Sequence, residues 1–235
     1  MKKRNHTPQG MKILFEDADV IVIEKAAGLL TQTPPRSRED SVESRLTDYV
    51  RKGQWKSSRR VYLVHRLDRE TSGVMMVVKH EAVQTWFRAN WSDLTTKTYL
   101  ARVEGTLDAD AGVFESYLKE DDRYFVASVA DKAAGKFART EWRKFVPGVE
   151  EQPVVRTGTF ASTLVEVTLK TGRKNQIRVH FREAGHPVVG DAKYGHGRRG
   201  DTLCLHAWKL AFVHPRTHET LSFETELPRF ARGGT

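Results

Sequence analysis

Apolar residues along the chain fall into alternating or continuous runs that predict strands more often than helices. The opening "MKILFEDADVIVIEKAAG" predicts two strands around a turn at Asp17–Asp19. The run "KTYLARVEG" alternates, which places Tyr99 and Val103 on one face of a strand. Val61–Val64 and Val74–Val78 are continuous apolar runs typical of buried strands. Further strands are predicted at "GVFESYL", "RYFVASV", "GKFARTEWRKFV", "TFASTLVEVTLK", "CLHAWKLAFVHP" and "LSFETELP".

Three segments have helical spacing instead. In "DSVESRLTDYVRK", Asp40 is placed to cap a helix, and Glu43 is placed to complete a capping box. "EAVQTWFRANW" is a short amphipathic helix, and "NQIRVHFREAG" repeats apolar residues at helical spacing until Gly185. Because strands outnumber helices and short turns join them, we expect an α+β fold with a mixed, largely antiparallel β-sheet flanked by helices.

The chain shows no internal repeat and no clear domain linker. We therefore expect one domain over residues 11–229, preceded by a basic flexible arm at 1–10 and followed by a short tail at 230–235. The segment "PGVEEQPVVRTG", residues 147–158, is predicted to be a flexible loop.

Composition narrows the class of protein. The chain has 235 residues and a formal net charge of +9, which favours a polyanionic partner such as nucleic acid. No apolar stretch reaches the roughly 20 residues that a membrane helix needs, and the N-terminus lacks the apolar region of a secretory signal. The single cysteine, Cys204, excludes an internal disulfide and suits a reducing cytoplasm.

Charged residues separate the two predicted buried strands in the stretch "VYLVHRLDRETSGVMMVVK". Its loop brings together the charged and polar residues His65, Arg66, Asp68, Arg69, Glu70, Thr71 and Ser72. One interpretation is a solvated turn, in which Asp and Ser side chains bond to nearby backbone amides. The flanking runs are too apolar for the solvent edge of a sheet, which favours a functional carboxylate at Asp68, between Arg66 and Arg69.

Two further residues are candidates with open alternatives. Arg178 follows a core-facing position, and its spacing from Lys174 and Arg182 makes a basic stripe on one helix. For any single arginine of such a stripe, a solvated helix face is the simpler interpretation. Tyr99 is compatible with an ordinary core position as well as with a functional one.

The sequence patterns of other chemistries are absent. The nine histidines lack the paired spacing of a zinc protease helix, and no acidic cluster along the sequence suggests a magnesium site. "HRLD" differs from a kinase catalytic loop, where Asp directly follows Arg. A glycosidase would need a second catalytic acid, for which Glu70 is the nearest candidate.

Five segments in the same order resemble the RluA-type pseudouridine synthases. "HRLDRETSG" resembles the family signature, with Asp68 at the position of the catalytic aspartate. The other four are "ILFEDADVIVIEKAAGLL", "KTYLARVEG", "TGRKNQIRVHFREAGHPVVGDAKYG" and "LCLHAWKLAFVHP", and together they span about residues 12–228. Two positions depart from the family: Ala26 replaces a usual proline, and Asn175 a usual histidine. We expect these departures to affect loop rigidity and RNA contacts, and we expect a member without the N-terminal S4 domain.

The resemblance implies an enzyme that isomerises uridine in rRNA or tRNA stem-loops to pseudouridine, with an RNA-binding cleft. It assigns the catalytic carboxylate to Asp68, base stacking to Tyr99, and the cationic partner of the carboxylate to Arg178. Arg66 would fill the gap left by the extruded base. The residues expected to bind RNA or substrate are His65, Arg66, Thr71, Arg173, Lys174 and Arg182, with Arg198, Arg199 and the N-terminal lysines as further phosphate contacts.

Attack on C1′, attack on C6 and abstraction of a ribose proton remain three possible roles for Asp68. We expect no cofactor and no metal, a monomer, and a cytoplasmic location. The alternative function is a non-catalytic RNA-binding protein or RNA chaperone with the same fold. The presence of Asp68, Tyr99 and Arg178 argues against it, because RNA binding alone needs no buried carboxylate.

Overall fold

The apolar run before Lys79 forms a buried strand, as its sequence predicts. In a computed structural model that describes residues 8–146 and 161–232, β4 (Ser72–Val78) is buried at every position after Ser72. It pairs antiparallel with β2 (Val20–Lys25), with Val22 opposite Met76. The shorter run before the loop forms only the two-residue strand β3 (Tyr62–Leu63), which also pairs with β4.

The described chain divides into two compact units. The first contains the residues up to Thr95 together with Lys209–Thr225, and the second contains Thr96–Trp208 and the residues from Glu226 onward. Strand β10 (Leu205–Val213) begins in the second unit and ends in the first.

The first unit also contains β1 (Met11–Glu16), α1 (Val42–Arg51), α2 (Glu81–Leu94) and β11 (Thr220–Glu224). Its strands follow the order β1-β2-β4, with β11 paired to the end of β10. Its apolar core joins Val22, Met76 and Phe212 of the strands to Phe87 of α2.

The second unit contains β5 (Thr95–Glu104), β6 (Ala111–Glu120), β7 (Val126–Val129), β8 (Lys136–Lys144), β9 (Ser162–Leu169), α3 (Gln176–Glu183) and a 3-10 turn at Arg229–Ala231. Its strand order is β5-β9-β8-β6-β7, and neighbouring strands are antiparallel. Leu118, Val126 and Ala138 of the sheet pack with Val179 of α3.

These elements confirm the predicted α+β class with a largely antiparallel sheet and flanking helices. The boundaries at 11 and 229 stay a prediction. The predicted loop at 147–158, most of the arm at 1–10 and the end of the tail lie outside the described residues. Within the part of the chain that the structure describes, none of the helices combines the length and apolarity needed to cross a membrane.

The predicted cap of α1 is wrong by one residue. Ser41, rather than Asp40, is the N-cap, and its hydroxyl accepts a hydrogen bond from the Ser44 backbone at 3.2 Å. Ser44, rather than Glu43, completes the box by accepting from the Ser41 backbone N–H at 2.9 Å. Serine caps a helix as well as aspartate does, so adjacent Asp and Ser leave the register ambiguous in the sequence.

Lys25, at the end of β2, is fully buried, which is rare for a lysine. Its ammonium group donates to the carbonyl oxygens of Leu29 at 2.8 Å, Ala26 at 3.0 Å and Arg69 at 3.1 Å. These three bonds use all the donors of the group. Burial lowers the pKa of Lys25 to about 8, although the nearby Glu70 and Asp68 favour the charged form.

We predict that Lys25→Met destabilises the protein in a pH-dependent way. The variant should lose roughly 1–3 kcal/mol at pH 7.5, because buried carbonyl groups are left without donors. Between pH 8 and 10.5 the unfolded chain holds the lysine proton and the folded chain has released it, so wild-type stability gains on the variant as pH rises. The gain is at most about 1.4 kcal/mol per pH unit.

Urea unfolding of both proteins at several pH values between 7.5 and 10 measures this difference. Other titrating groups cancel because both proteins contain them. Two parallel stability curves would contradict the assignment of the proton to Lys25.

Candidate active site

Asp68 lies in the loop between β3 and β4, in the first unit. The residue is partly buried, and its carbonyl oxygen accepts a hydrogen bond from the Thr71 backbone at 3.2 Å. The loop therefore closes as a tight turn immediately after Asp68. A turn at this point agrees with the solvated-turn interpretation. The residues before and after Asp68, however, are held by hydrogen bonds from other segments.

The residues on either side of Asp68 are held by the segment that follows β2. The Thr31 hydroxyl donates to the Leu67 carbonyl at 2.6 Å and accepts from the Leu67 N–H at 3.1 Å. The Gly28 N–H and the Lys25 ammonium both donate to the Arg69 carbonyl, at 2.7 and 3.1 Å. With both neighbours restrained, the position of Asp68 is set before any substrate arrives.

Position 26 shows what the departure from the family's proline does. The Ala26 N–H donates to the carbonyl of Gly10 at 2.9 Å, a bond that proline has no hydrogen to make. Alanine thus replaces a rigid ring with a hydrogen bond to the start of β1.

His65 and Thr71 point into the first unit. The Met76 backbone donates to Nε2 of His65 at 2.9 Å, so the neutral ring carries its proton on Nδ1. The ring also stacks on Trp91 with centroids 4.8 Å apart. Thr71 is only 2% exposed. Both residues anchor the loop, and their predicted contact with RNA stays a prediction.

The two arginines beside Asp68 differ in their surroundings. Arg69 donates to the Gly28 carbonyl at 3.2 Å and lies 3.4 Å from a Glu39 carboxylate oxygen. Arg66 is exposed, and its guanidinium forms no hydrogen bond or ion pair with any residue in the described ranges. Arg66 is therefore the one of the two that is available to a ligand.

Tyr99 and Arg178 belong to the second unit. Tyr99 lies on β5 opposite Val167 of β9 and is 7% exposed. Arg178 is 6% exposed, so the solvated-face alternative is wrong for it. The basic stripe is also wrong, because α3 begins at Gln176, after Lys174, and Arg178 is buried while Arg182 is exposed.

Arg178 forms a buried bidentate ion pair with Asp191, which sequence reasoning missed. Its Nε and Nη2 donate to the two carboxylate oxygens at 2.6 and 2.7 Å. The backbone N–H groups of Lys193 and Tyr194 donate to the same carboxylate. Burial alone would raise the pKa of Asp191, but Arg178 and the backbone donors hold it below its usual value. The signal was present in "GDAKYG", within the third family segment.

Asn175 also contacts Arg178, so its effect is not confined to loop rigidity and RNA contacts. Its carboxamide oxygen lies 3.4 Å from Arg178 Nη1, and its nitrogen donates to the Tyr194 hydroxyl at 3.0 Å. The Arg178 guanidinium lies over the Tyr194 ring, 5.1 Å from its centroid. Asn175 has a φ of 55°, a left-handed conformation that asparagine tolerates better than most residues.

A buried polar cluster holds the turn before α3. The Gln176 carboxamide donates to Thr140 Oγ1 at 2.9 Å and accepts from the Arg173 backbone at 3.0 Å. Nδ1 of His180 is hydrogen-bonded to Thr140 Oγ1 at 2.8 Å, and its Nε2 is hydrogen-bonded to Ser116 Oγ at 2.9 Å. Burial lowers the pKa of His180 to about 4, so the ring is neutral at physiological pH.

The predicted phosphate contacts of the second unit lie around this turn. Arg173 is exposed, although its Nε donates to the Phe137 carbonyl at 2.9 Å. Lys174 contacts Glu120 and lies over the Tyr124 ring. Arg182 is exposed above Phe125.

One acidic cluster does form in space, contrary to the expectation from sequence. Ligand atoms of Asp17, Asp19 and His214 lie within 4.8 Å of one another in the first unit. Protein donors occupy them: Arg216 pairs with both oxygens of Asp19, and His214 donates to Asp17 at 2.8 Å. The cluster is accounted for as an ion-pair network.

Comparison with known proteins agrees with these features. The profile of the RNA pseudouridylate synthase family matches residues 19–183. Ribosomal large subunit pseudouridine synthase D of Neisseria meningitidis serogroup A is 33% identical over 94% of this chain, and the chain spans 59% of that protein. The tRNA pseudouridine synthase C of Vibrio parahaemolyticus is 31% identical over 94% of this chain and 92% of its own length.

The fold has a solved counterpart. The structure of human RNA pseudouridylate synthase domain containing 4 matches with a TM-score of 0.70 and 23% identity, covering 93% of this chain and 89% of that one. The family match covers the loop of Asp68, the strand of Tyr99 and the helix of Arg178. The chain belongs to the RNA pseudouridylate synthase family.

Proposed function

We propose that this chain is an RNA pseudouridine synthase that isomerises uridine in structured rRNA or tRNA, with Asp68 as the catalytic carboxylate. The observation that carries the proposal is the restrained loop of Asp68. Buried bonds from Lys25, Thr31 and Gly28 fix the residues beside it, while Asp68 itself remains partly exposed. The names of two relatives, a ribosomal large subunit pseudouridine synthase and a tRNA pseudouridine synthase, support the substrate class.

The reaction breaks the N1–C1′ bond of uridine and forms a C5–C1′ bond, while the proton on C5 is lost and N1 gains one. No atom is added or removed overall, so the substrate supplies everything except a charged group beside the sugar. Asp68 is that group in the proposal. Tyr99 would stack on the uracil, and Arg178 would hold positive charge toward the reacting carboxylate.

Arg66, Arg173 and Arg182 are exposed cations suited to RNA phosphates or bases, whereas Lys174 has to exchange Glu120 for a phosphate. Burial raises the pKa of the single cysteine thiol, Cys204, to about 11. A thiol of that kind is unreactive. We propose a cytoplasmic enzyme that acts as a monomer without metal or cofactor; the single cysteine, which allows no internal disulfide, supports the reducing compartment.

We predict that Asp68→Asn abolishes pseudouridine formation. The variant keeps the shape of the side chain but removes its charge, so folding and RNA affinity should change little. Mapping pseudouridine in RNA incubated with each protein measures the activity, and thermal unfolding checks the fold. Substantial turnover by the variant would refute the assignment of Asp68, and a wild-type protein that binds RNA without turnover would favour the non-catalytic alternative.

We predict that Arg178→Ala is far more harmful than Arg182→Ala. Removing Arg178 leaves the buried Asp191 carboxylate without its partner, which typically costs about 3–5 kcal/mol. Arg182 is an exposed cation of the same helix and serves as the matched control. Urea unfolding should show lost stability for Arg178→Ala only, and single-turnover assays at saturating RNA should show a much larger loss of activity for it than for Arg182→Ala, whose proposed contact is with RNA. Equal and mild effects would contradict the buried role.

We predict that Arg66→Ala impairs base extrusion more than bond chemistry. Activity should fall sharply on a structured stem-loop, where the uridine has to leave its neighbours, and much less on a short flexible RNA. Single-turnover rates on the two RNAs across a salt series measure this. Equal losses on both, with a log–log salt slope lower by about one unit, would instead make Arg66 a phosphate contact.

A further inference from the structure

A basic loop of the first unit carries the most exposed large apolar side chain in the described chain. The loop at 51–60, "RKGQWKSSRR", contains five lysines and arginines and no acidic residue. Trp55 is 80% exposed, and the Lys56 ammonium lies 4.9 Å from its ring centroid. A single exposed aromatic residue needs no explanation, but one inside a run of cations has the composition of a nucleic-acid contact.

The loop is folded. Lys52 ends α1 in a left-handed conformation, and the Gln54 N–H donates to the Arg51 carbonyl at 3.0 Å. The Ser57 N–H donates to the Gln54 carbonyl, and the Arg51 side chain reaches across to the Arg59 carbonyl at 3.1 Å. These bonds hold the two ends of the loop together. The loop backbone is therefore ordered before a ligand binds, which lowers the conformational entropy lost on binding.

The same loop lines a positively charged cavity of about 260 Å³. The cavity walls include four cationic side chains, those of Lys52, Arg59, Arg60 and Lys79. Its one carboxylate, Glu16, is already bound by the Lys79 ammonium at 2.6 Å and the Tyr49 hydroxyl at 2.7 Å. Burial alone would raise the pKa of Glu16, but its bonds to Lys79 and Tyr49 and the charge of Lys52 hold that pKa below its usual value. Glu16 therefore stays ionised and offsets part of the charge of Lys79 and Lys52, while Arg59 and Arg60 have no carboxylate partner among the cavity walls.

Most cations of the loop form no ion pair with a carboxylate of the described residues. Among the described residues, only Arg51 approaches a carboxylate, that of Asp48 at 4.0 Å. Arg60 lies over the Tyr62 ring, and neither Arg59 nor Lys56 forms an ion pair in the described part of the chain. Charges that are positioned but unpaired favour an anionic ligand.

We propose that this loop and cavity form a second RNA-binding site, which takes single-stranded nucleotides of the substrate RNA. A base stacks on Trp55, and the adjoining phosphates enter the cavity beside Arg59 and Arg60. The identity of the ligand as RNA rests on the proposed function. Stacking gives the site a preference for unpaired nucleotides, because the face of a paired base is covered by its neighbours.

Binding is tested with the full chain carrying Asp68→Asn, so that no turnover occurs. The probes are a ten-nucleotide oligouridylate, inorganic polyphosphate and polyglutamate of similar charge. Labelled-RNA anisotropy gives affinity, and tryptophan fluorescence reports on Trp55. The added variants are Trp55→Ala, Trp55→Phe and the pair Arg59→Ala with Arg60→Ala, with Arg143→Ala, an exposed arginine paired with Glu166, as the control for lost charge.

Trp55→Ala should weaken oligouridylate binding by about 5- to 150-fold, which corresponds to ~1–3 kcal/mol for one stacked base. It should leave polyphosphate and polyglutamate binding unchanged. Trp55→Phe should keep most of the affinity for the oligouridylate. It should lose the quenching of tryptophan fluorescence that the RNA causes when Trp55 is present. The paired arginine variant should weaken both RNA and polyphosphate and lower the RNA salt slope by about 0.7 for each lost contact, whereas Arg143→Ala should not.

Unchanged RNA affinity in Trp55→Ala would overturn the stacking site, and an unchanged salt slope in the arginine variant would overturn the phosphate cavity. Binding of polyglutamate with Trp55 quenching equal to that of RNA would overturn RNA as the ligand. These readouts involve no catalysis, so they fail separately from the proposed function, which fails only if the wild-type protein forms no pseudouridine.

Discussion

The buried ammonium of Lys25 is the interaction on which the candidate site of the first unit depends. A lysine in a dry environment is unfavourable unless its charge is balanced and all its donors are used. Here three backbone carbonyls accept its protons, and one of them belongs to Arg69, next to Asp68. These bonds offset part of the cost of burying the charge, and one of them exists only when the Asp68 loop has its observed backbone, so the buried lysine stabilises that loop conformation.

The second unit solves a similar problem with a different chemistry. Arg178 is buried with a full carboxylate partner, Asp191, and with Asn175 and Tyr194 around it. A bidentate pair fixes the plane of the guanidinium, so the group is oriented as well as charged. Both units therefore present their candidate catalytic residues from frameworks of satisfied buried polar groups, which rigidify a site more than an apolar core does.

Sequence reasoning predicted the strands and named the residues that resemble the family's motifs. It did not predict the buried polar groups that surround Lys25 and Arg178. Continuous and alternating apolar runs identify β4 and β5, because burial on one or two faces leaves a direct trace in the pattern. The cap of α1 was misplaced since Asp40 and Ser41 are both good caps. The burial of Lys25 and Arg178 leaves no trace, because a cation has the same letter in the core as on the surface and its partners are distant in sequence or on the backbone.

The same limit applies to net charge as an argument for RNA binding. The net charge of +9 counts every cation equally, but Lys25, Arg178 and Arg102 bind buried groups of the protein itself. Arg102, for example, donates to the Phe230 carbonyl at 2.6 and 2.9 Å. Only an exposed cation without a protein partner releases counterions when it meets a phosphate. In the first unit several exposed arginines meet that condition with respect to hydrogen bonds and ion pairs among the described residues: Arg36, Arg38, Arg59, Arg60, Arg66 and Arg88. The net charge alone therefore does not identify which cations contact RNA.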